Sequence, residues 1–561
     1  MPPLPYYVSS PEGSDQADEW MRLGAEAQMA GRLPEAQGKY MQALRLDPRH
    51  ALAMQNLAIV FAQSSLINEA LLTIERAAMC DGHHSCIQFN RSMMSFEAER
   101  IDDAIAAARK AVELAPKDTM ALMALSMTLT SAGCAAESVE LYNKIIDLDP
   151  KNSTSATNAC FVQTLTDCTP ADLLRQRKRW WDMHHYPGKV EPHKNDKTDR
   201  PLRVGYVGGD FKSHSAAFIF GSVLLHHSPA IEMYLYSSLP VDPNADGSTK
   251  KFMDACPERW RDISQMTDED ADKLIRQDKI DILVDLAAHT NGGRLPLFTR
   301  KPAPVQATGW GFAHGTGCPE IDWFFADPIA VPVEEREHYA EKIWDLPTIV
   351  TMEPPHHYNL KGTSQLPFRK NGYITFGSYA RYEKMSDECL KTFAEILRRV
   401  PESKLEFKDN GYRRPYSLRR IMGLMPDIAP ERLLFSIATT HPDHMLAYQQ
   451  ADIALDPFPH GGGVVALEQL YQGVPMVTLY GKQPAGRSAS SVLTVMGHGA
   501  WVAKTPEQYV EIAVQMASDP KPLADIRKTL RDELVNSPVC TGYVGKVEEA
   551  YQGMWKEYCS K

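Results

Sequence analysis

Residues Pro457-Phe458-Pro459-His460-Gly461-Gly462-Gly463 follow a short apolar run, Ile453-Ala454-Leu455-Asp456, and precede the stretch Val464 to Gln472. Strand, glycine-rich loop and helix in that order make a phosphate cradle, because bare backbone N–H groups and the positive end of the helix dipole face an anion. The bend Gly461 to Gly463 and the first helical residue, Val464, are the candidate phosphate contacts. Glu468, about one turn into the helix, is placed to accept hydrogen bonds from a ribose. A triple glycine is equally a tight turn with no ligand, so the case rests on what surrounds it. No convincing Asp-x-Asp metal motif accompanies the loop, and no metal or other cofactor is expected. Cys80 and Cys86 with His83 and His84 have metal-ligating types, but Asp81-Gly82-His83-His84 falls where a repeat turn is expected.

The elements around the loop are those of parallel α/β sheets. Leu202-Arg203-Val204-Gly205-Tyr206-Val207 reads as a buried strand ending in Gly208-Gly209-Asp210. Ala271 to Gln277 reads as a helix, and Ile280 to Leu286 as the next buried strand. A second such region starts near Gly372, with a strand over Tyr373 to Gly377 and a helix over Ser386 to Val400. The βαβ rhythm implies two doubly wound sheets, whose ligands sit in the crevice at the carboxyl ends of the strands.

The first third of the chain repeats itself. Gly31, Ser65, Glu99 and Gly133 are spaced by 34 residues, and so are Ala36, Ala70, Ala104 and Ser138, and Ala43, Ala77, Ala111 and Ile145. Pro48, Pro116 and Pro150 keep the period, with Gly82 in the missing slot. That is the tetratricopeptide signature of paired antiparallel helices, and such a solenoid suits an extended peptide. A helical stretch follows to Trp180-Trp181-Asp182, and the polar, breaker-rich Gly188 to Arg200 reads as a linker.

At 561 residues the chain exceeds one hydrophobic core. An apolar fraction of 43% with 23% charged residues is ordinary for globular protein. A net charge of −11 and a pI near 5.9 argue against nucleic-acid or anionic-membrane partners. The start lacks the basic and apolar regions of a signal peptide, so the chain reads as cytoplasmic. The ten cysteines, without a CxxC pair, fit neither a zinc framework nor a disulfide scaffold.

The stretches PLRVGYVGGDFKSHS, DKIDILVDLAAHT, RKPAPVQATGWGF, YARYEKMS, HPDHMLAYQQADIALDPFPHGGG, ALEQLYQGVPMVTLYG and SPVCTG followed by YQGMWKEYC resemble, in order, the O-GlcNAc transferase and SPINDLY family of protein glycosyltransferases. The resemblance implies a multidomain chain of α and α/β parts. A tail over 1–16, tetratricopeptide repeats over 17–150 and a helical linker over 151–200 lead into a GT-B fold of two Rossmann-like domains. These are an acceptor-side domain over 201–360 and a nucleotide-sugar domain with the C-terminal helix over 361–561. It implies an inverting transfer of N-acetylglucosamine from UDP-N-acetylglucosamine to Ser or Thr of an acceptor protein held by the repeats, which also offer a surface for oligomer formation. SPVCTG, His289-Thr290 and DHMLAY look more like the SPINDLY branch, whose plant enzymes use GDP-fucose, so protein O-fucosyl transfer is the same-class alternative. A repeat scaffold with an inactive transferase part is the other-class alternative, and a nucleotide-sugar epimerase is a weaker third.

The same resemblance assigns residues. Lys384 matches the lysine placed against the donor pyrophosphate, where a cation neutralises the leaving diphosphate. His214, after the first strand, matches an active-site histidine able to take the acceptor hydroxyl's proton. His289 ends VDLAAHT and is expected to reach the cleft, while Asp281 stands where animal members carry a histidine and reads as structural or as a substrate contact. His444 matches a histidine near the donor base. Arg487 is expected to touch the donor phosphate or the glycine loop. The loop Gly311 to Gly317 lacks the relatives' proline at Ala313. Gly463-Val464-Val465 replaces hydroxyl and imidazole side chains of the animal branch, leaving only backbone contacts there.

Overall fold

The computed structural model describes residues 15–195, 199–242, 247–353, 365–437 and 439–561, so the expected tail falls almost wholly outside the described residues. The chain divides into two units, one holding residues up to Ser155 together with Arg414–Arg420, the other Ala156–Arg413 and Ile421–Lys561.

The first unit is built from α1 (Asp15–Met29), α2 (Leu33–Leu46), α3 (Ala51–Gln63), α4 (Ile67–Cys80), α5 (Ser85–Glu97), α6 (Ile101–Leu114), α7 (Thr119–Ser131) and α8 (Ala135–Leu148), each packed on its neighbour in sequence. The 34-residue columns acquire a geometric meaning here. Gly31, Ser65, Glu99 and Gly133 all take a left-handed backbone, with φ of 73°, 61°, 59° and 78°, at the turn inside each helix pair. Ala36, Ala70, Ala104 and Ser138, and Ala43, Ala77, Ala111 and Ile145, are all fully buried where the helices touch. Small side chains let two backbones come close at all of these positions but the last, where Ile145 fills the space. Arg414 belongs to this unit, its guanidinium donating to the Ser131 hydroxyl at 2.8 Å.

In the second unit, β1 (Leu202–Gly208), β2 (Ile231–Ser237), β3 (Trp260–Asp262), β4 (Ile282–Asp285), β5 (Val305–Thr308), β6 (Trp323–Ala326) and β7 (Lys342–Asp345) form an all-parallel sheet in the order 3-2-1-4-5-6-7. A second parallel sheet holds β8 (Thr375–Ser378), β9 (Lys404–Lys408), β10 (Leu433–Ser436), β11 (Ile453–Leu455), β12 (Met476–Leu479) and β13 (Val502–Ala503) in the order 10-9-8-11-12-13. The central strands are buried on both faces, which is why they read as continuous apolar runs. Each sheet reverses direction once, between β1 and β4 and between β8 and β11. The loops leaving those four strands therefore open a crevice.

The two sheets are braced by the same device. Asp281, just before β4, accepts from the Arg203 amide at the start of β1 (2.9 Å), and Asp452, just before β11, accepts from the Thr375 amide at the start of β8 (2.8 Å). Four residues on, Asp285 at the end of β4 and Asp456 just after β11 accept from a hydroxyl of the next strand, Thr308 and Thr478, each at 2.7 Å. Asp281 also takes the Arg200 guanidinium at 2.7 and 2.8 Å. It is a structural residue at the amino end of its strand, away from the crevice, so a substrate contact is ruled out by position.

Two stretches sit differently from their sequence reading. Helix Pro170–His184, within the expected linker, belongs to the second unit: Arg177 donates to the Gly315 carbonyl and the Trp180 ring meets His289 edge-on at 5.2 Å. The C-terminal helix Tyr543–Cys559, expected with the second sheet, packs on the first. Tyr551 and Tyr206 hydroxyls lie 2.9 Å apart, and Glu548 accepts from the Ser228 amide and hydroxyl at 2.7 Å. Its apolar face completes the first sheet's core, which chain order alone does not reveal.

Candidate functional site

Loops after β1, β4, β5, β8 and β11 line a cavity of about 570 Å³, a size suited to a nucleotide-sized ligand. On the second-sheet side, Lys384 ends the short turn Tyr382–Lys384 that follows β8. Its ammonium donates to the Gly461 carbonyl at 2.8 Å. Ser386 caps the next helix and donates to the Phe458 carbonyl at 2.8 Å, so the lysine turn and the glycine loop are tied together. Burial, and then the positive charge of Arg381, hold the Lys384 pKa below its ordinary value, while Asp456 opposes the shift. Burial in turn raises the carboxyl of Asp456.

The glycine loop is differently wired from the sequence expectation. The Gly461 amide donates to the Ala485 carbonyl at 3.2 Å and the Gly462 amide to the Asp456 carboxylate at 2.7 Å, so neither is available to a ligand. Their backbones still line the cavity. Gly463 is the N-cap of helix Val464–Tyr471 and provides no side-chain cap. Among the described residues the amides of Gly463, Val464 and Val465 have no protein acceptor, and they stand at the positive end of that helix. The anion cradle is thus the start of the helix rather than the whole bend.

His444, on helix His441–Ala447, faces the cavity with its ring edge-on to Tyr448 at 4.8 Å, and burial holds it below the usual imidazole range. Lys408, from the end of β9, also lines the cavity and donates to the Ile437 carbonyl and to the Thr439 hydroxyl. Glu468 does not face the cavity: it is buried, with one oxygen 2.6 Å from His441 Nε2 and the other accepting from Tyr448 OH at 2.7 Å. It holds the wall that carries His444, and the expected ribose contact is not formed by its placement. Arg487 likewise lies behind the wall. Its guanidinium grips Glu335 at 2.6 and 2.8 Å and donates to the carbonyls of Gly481, Lys482 and Ala330, so it bonds neither the glycine loop's phosphate face nor the cavity.

On the first-sheet side, His214 caps helix Ser215–Leu224 and is half-exposed to the cavity. Its Nδ1 lies 3.2 Å from the Ala216 amide and 3.4 Å from the Asp210 carboxylate. The amide asks Nδ1 for a lone pair and the carboxylate asks it for a proton. When the proton sits between Nδ1 and Asp210, Nε2 is free to accept another. His289 does not reach the cleft. It is buried, donates through Nε2 to the Thr316 carbonyl at 2.7 Å, and burial pushes its pKa down to about 3. It supports Phe312, which is at the cavity wall, while its neighbour Thr290 lines the cavity.

The structure therefore brings Lys384, His214, His444 and the Gly461–Val464 segment to one cavity and leaves His289, Glu468 and Arg487 behind its walls. Sequence reading missed Asp285 and Asp456. The signal was present as two matching stretches, Asp281-Ile282-Leu283-Val284-Asp285 and Asp452-Ile453-Ala454-Leu455-Asp456. Among the described residues no three His, Cys, Asp or Glu side chains converge as a metal site, and His84 instead meets Asp81 at 2.6 Å. No helix among them is long and apolar enough to cross a membrane.

Comparison with known proteins agrees with this architecture. The family model "Glycosyl transferase family 41" matches residues 179–356 and 351–544, and a tetratricopeptide repeat model matches 96–153. The chain is 32% identical over 433 residues to a probable UDP-N-acetylglucosamine–peptide N-acetylglucosaminyltransferase SPINDLY of Oryza sativa subsp. japonica, covering 75% of this chain and 46% of that one. It is 29% identical over 384 residues to the probable transferase SEC of Arabidopsis thaliana, covering 66% and 38%. The chain thus spans about half the length of the curated relatives it matches, or less. The solved structure of a Thermobaculum terrenum O-GlcNAc transferase mutant superposes with a TM-score of 0.75 at 26% identity, covering 97% of this chain and 98% of that one. Two parallel sheets whose loops line one cavity, and a family model matched across both of them, make this chain a member of glycosyl transferase family 41.

Proposed function

We propose that the chain is an inverting protein O-glycosyltransferase that moves N-acetylglucosamine from UDP-N-acetylglucosamine to a serine or threonine hydroxyl. The observation that carries this reading is the convergence, in one cavity, of the Lys384 ammonium and the three acceptor-free amides that open helix Val464–Tyr471. A cation and a helix start stabilise a diphosphate most when its charge grows, which is when the bond to the sugar breaks. On the opposite wall His214 takes the acceptor hydroxyl's proton at Nε2, in the tautomer whose Nδ1–H faces Asp210 in place of the Ala216 cap. The hydroxyl oxygen bonds to the anomeric carbon, the bond from that carbon to the diphosphate oxygen breaks with its electron pair, and the configuration inverts.

The helix-paired repeats of the first unit suit an extended segment of the acceptor protein. The matched relatives' printed names support UDP-N-acetylglucosamine as donor. The anion-binding groups would equally accept GDP-fucose, and the SPINDLY-like stretches favour testing it. Purified protein is incubated with each labelled nucleotide sugar and a library of Ser/Thr peptides. Transfer from UDP-N-acetylglucosamine is the expected result, transfer from GDP-fucose alone replaces the donor, and failure to bind UDP or GDP leaves only a scaffold.

A further inference from the structure

His314 is the one cavity-lining residue whose side chain is almost wholly buried, at 1% exposure, with both polar atoms unused: among the described residues neither Nδ1 nor Nε2 has a hydrogen-bond partner. A buried polar group left this way is costly, and such groups in folded proteins are met by protein, water or ligand. Phe312 packs against the ring at a centroid distance of 5.0 Å and fixes one side of it. Arg177, which donates to the Gly315 carbonyl next door, brings a fixed positive charge close by.

Burial, Arg177 and His289 all favour the uncharged imidazole. Such a ring presents one N–H donor and one lone pair. A phosphate has only acceptors and leaves the lone pair unmet. A sugar hydroxyl pair or an acetamide has both a donor and an acceptor to offer. Position agrees with chemistry. His314 follows Trp310 to Ala313 in a loop that lines the same cavity as Lys384 and the Gly461–Val465 segment. This argument rests on the reading of the cavity as a nucleotide-sugar site.

We propose that His314 binds the transferred sugar, its neutral imidazole exchanging hydrogen bonds with an uncharged donor–acceptor group on the ring, and thereby sets which nucleotide sugar is turned over. The test compares wild type, His314→Ala and His314→Gln, the last keeping one donor and one acceptor without charge. Calorimetry measures UDP, GDP, UDP-N-acetylglucosamine and GDP-fucose, and steady-state kinetics measures the donor KM and kcat. All three proteins should bind the bare diphosphates alike. His314→Ala should lose on the order of tenfold in affinity for the sugar nucleotide, the scale of one or two neutral hydrogen bonds, and His314→Gln should recover part of it. Equal sugar-nucleotide affinity and KM in all three overturns the proposal, and so does a loss that falls equally on bare UDP or GDP. Should His314→Ala fail to fold, His314→Leu, which keeps comparable bulk but offers neither donor nor acceptor, takes its place, and unchanged sugar-nucleotide affinity and KM in that variant overturns the proposal. If wild type binds the bare nucleotides but neither sugar nucleotide, the sugar role of His314 fails while the nucleotide site stands. If it binds none of the four, the nucleotide reading itself fails.

Discussion

Lys384 sits where the incoming negative charge is expected, and two outcomes follow from its surroundings. Replacing it with alanine should lower kcat by about 10²–10³-fold, the usual effect of deleting one group that stabilises developing charge, with the circular dichroism spectrum unchanged. Burial holds its pKa down in the free protein, and a bound diphosphate raises it again. The complex then holds more protons than the free protein, so nucleotide binding takes up a proton and weakens as pH rises through the pKa of the complex. Calorimetry in buffers of differing ionisation enthalpy should show that uptake, and Lys384→Arg, which stays protonated, should abolish it. The family resemblance pointed to Lys384 and His214, the strand–glycine–helix order pointed to the glycine bend, and all three line one cavity. The misplacement of Glu468, Arg487 and His289 has one physical cause. Each lies next to a crevice loop in sequence, but its polar atoms find partners inside the protein, and only the fold shows which way such a side chain turns.

At the scale of elements, the loop from Gly309 to Gly317 depends on close backbone approach. A Cβ on Gly311 would stand 1.6 Å from the Leu286 carbonyl oxygen, so the loop lies against β4's exit with no space for a side chain. Gly311→Ala should therefore cost on the order of 1–3 kcal/mol, as overpacking does, read as a fall in the urea midpoint together with a loss of transfer. The repeat turns offer the opposite experiment. Ser65 and Glu99 adopt the left-handed turn that Gly31 and Gly133 take without strain. Glu99→Gly should raise the stability of the first unit by about 1 kcal/mol, seen as a higher melting midpoint. The repeats were almost fully legible, because a 34-residue period carries its own register. The C-terminal helix was not, because its partners on β1 lie far away in sequence.

At the scale of the molecule, several buried imidazoles are kept neutral. Burial lowers the pKa values of His289, His314 and His460, with that of His289 at about 3. An unfolded chain protonates these rings below about pH 6.5, so their stabilising effect is complete above that pH and drains away as pH falls toward 3. Each contributes a slope of up to about 1.4 kcal/mol per pH unit across its window. Asp285, pushed up to about 6 by burial, works in the opposite sense between its ordinary value and 6, so the comparison is made by difference. His289→Asn should lose less stability than wild type between pH 7 and pH 5 in urea titrations.

Tyr206 and Tyr551 meet although they lie 345 positions apart in sequence, and Tyr543 accepts from the indole of Trp310 at the cavity wall. The first sheet's seven strands are all synthesised by Asp345, yet the helix that seals their core ends at Cys559. On the ribosome, then, the opening half of the crevice waits for the closing half, and a nascent chain halted anywhere before its last helix carries an unsealed sheet with apolar surface exposed to chaperones and proteases.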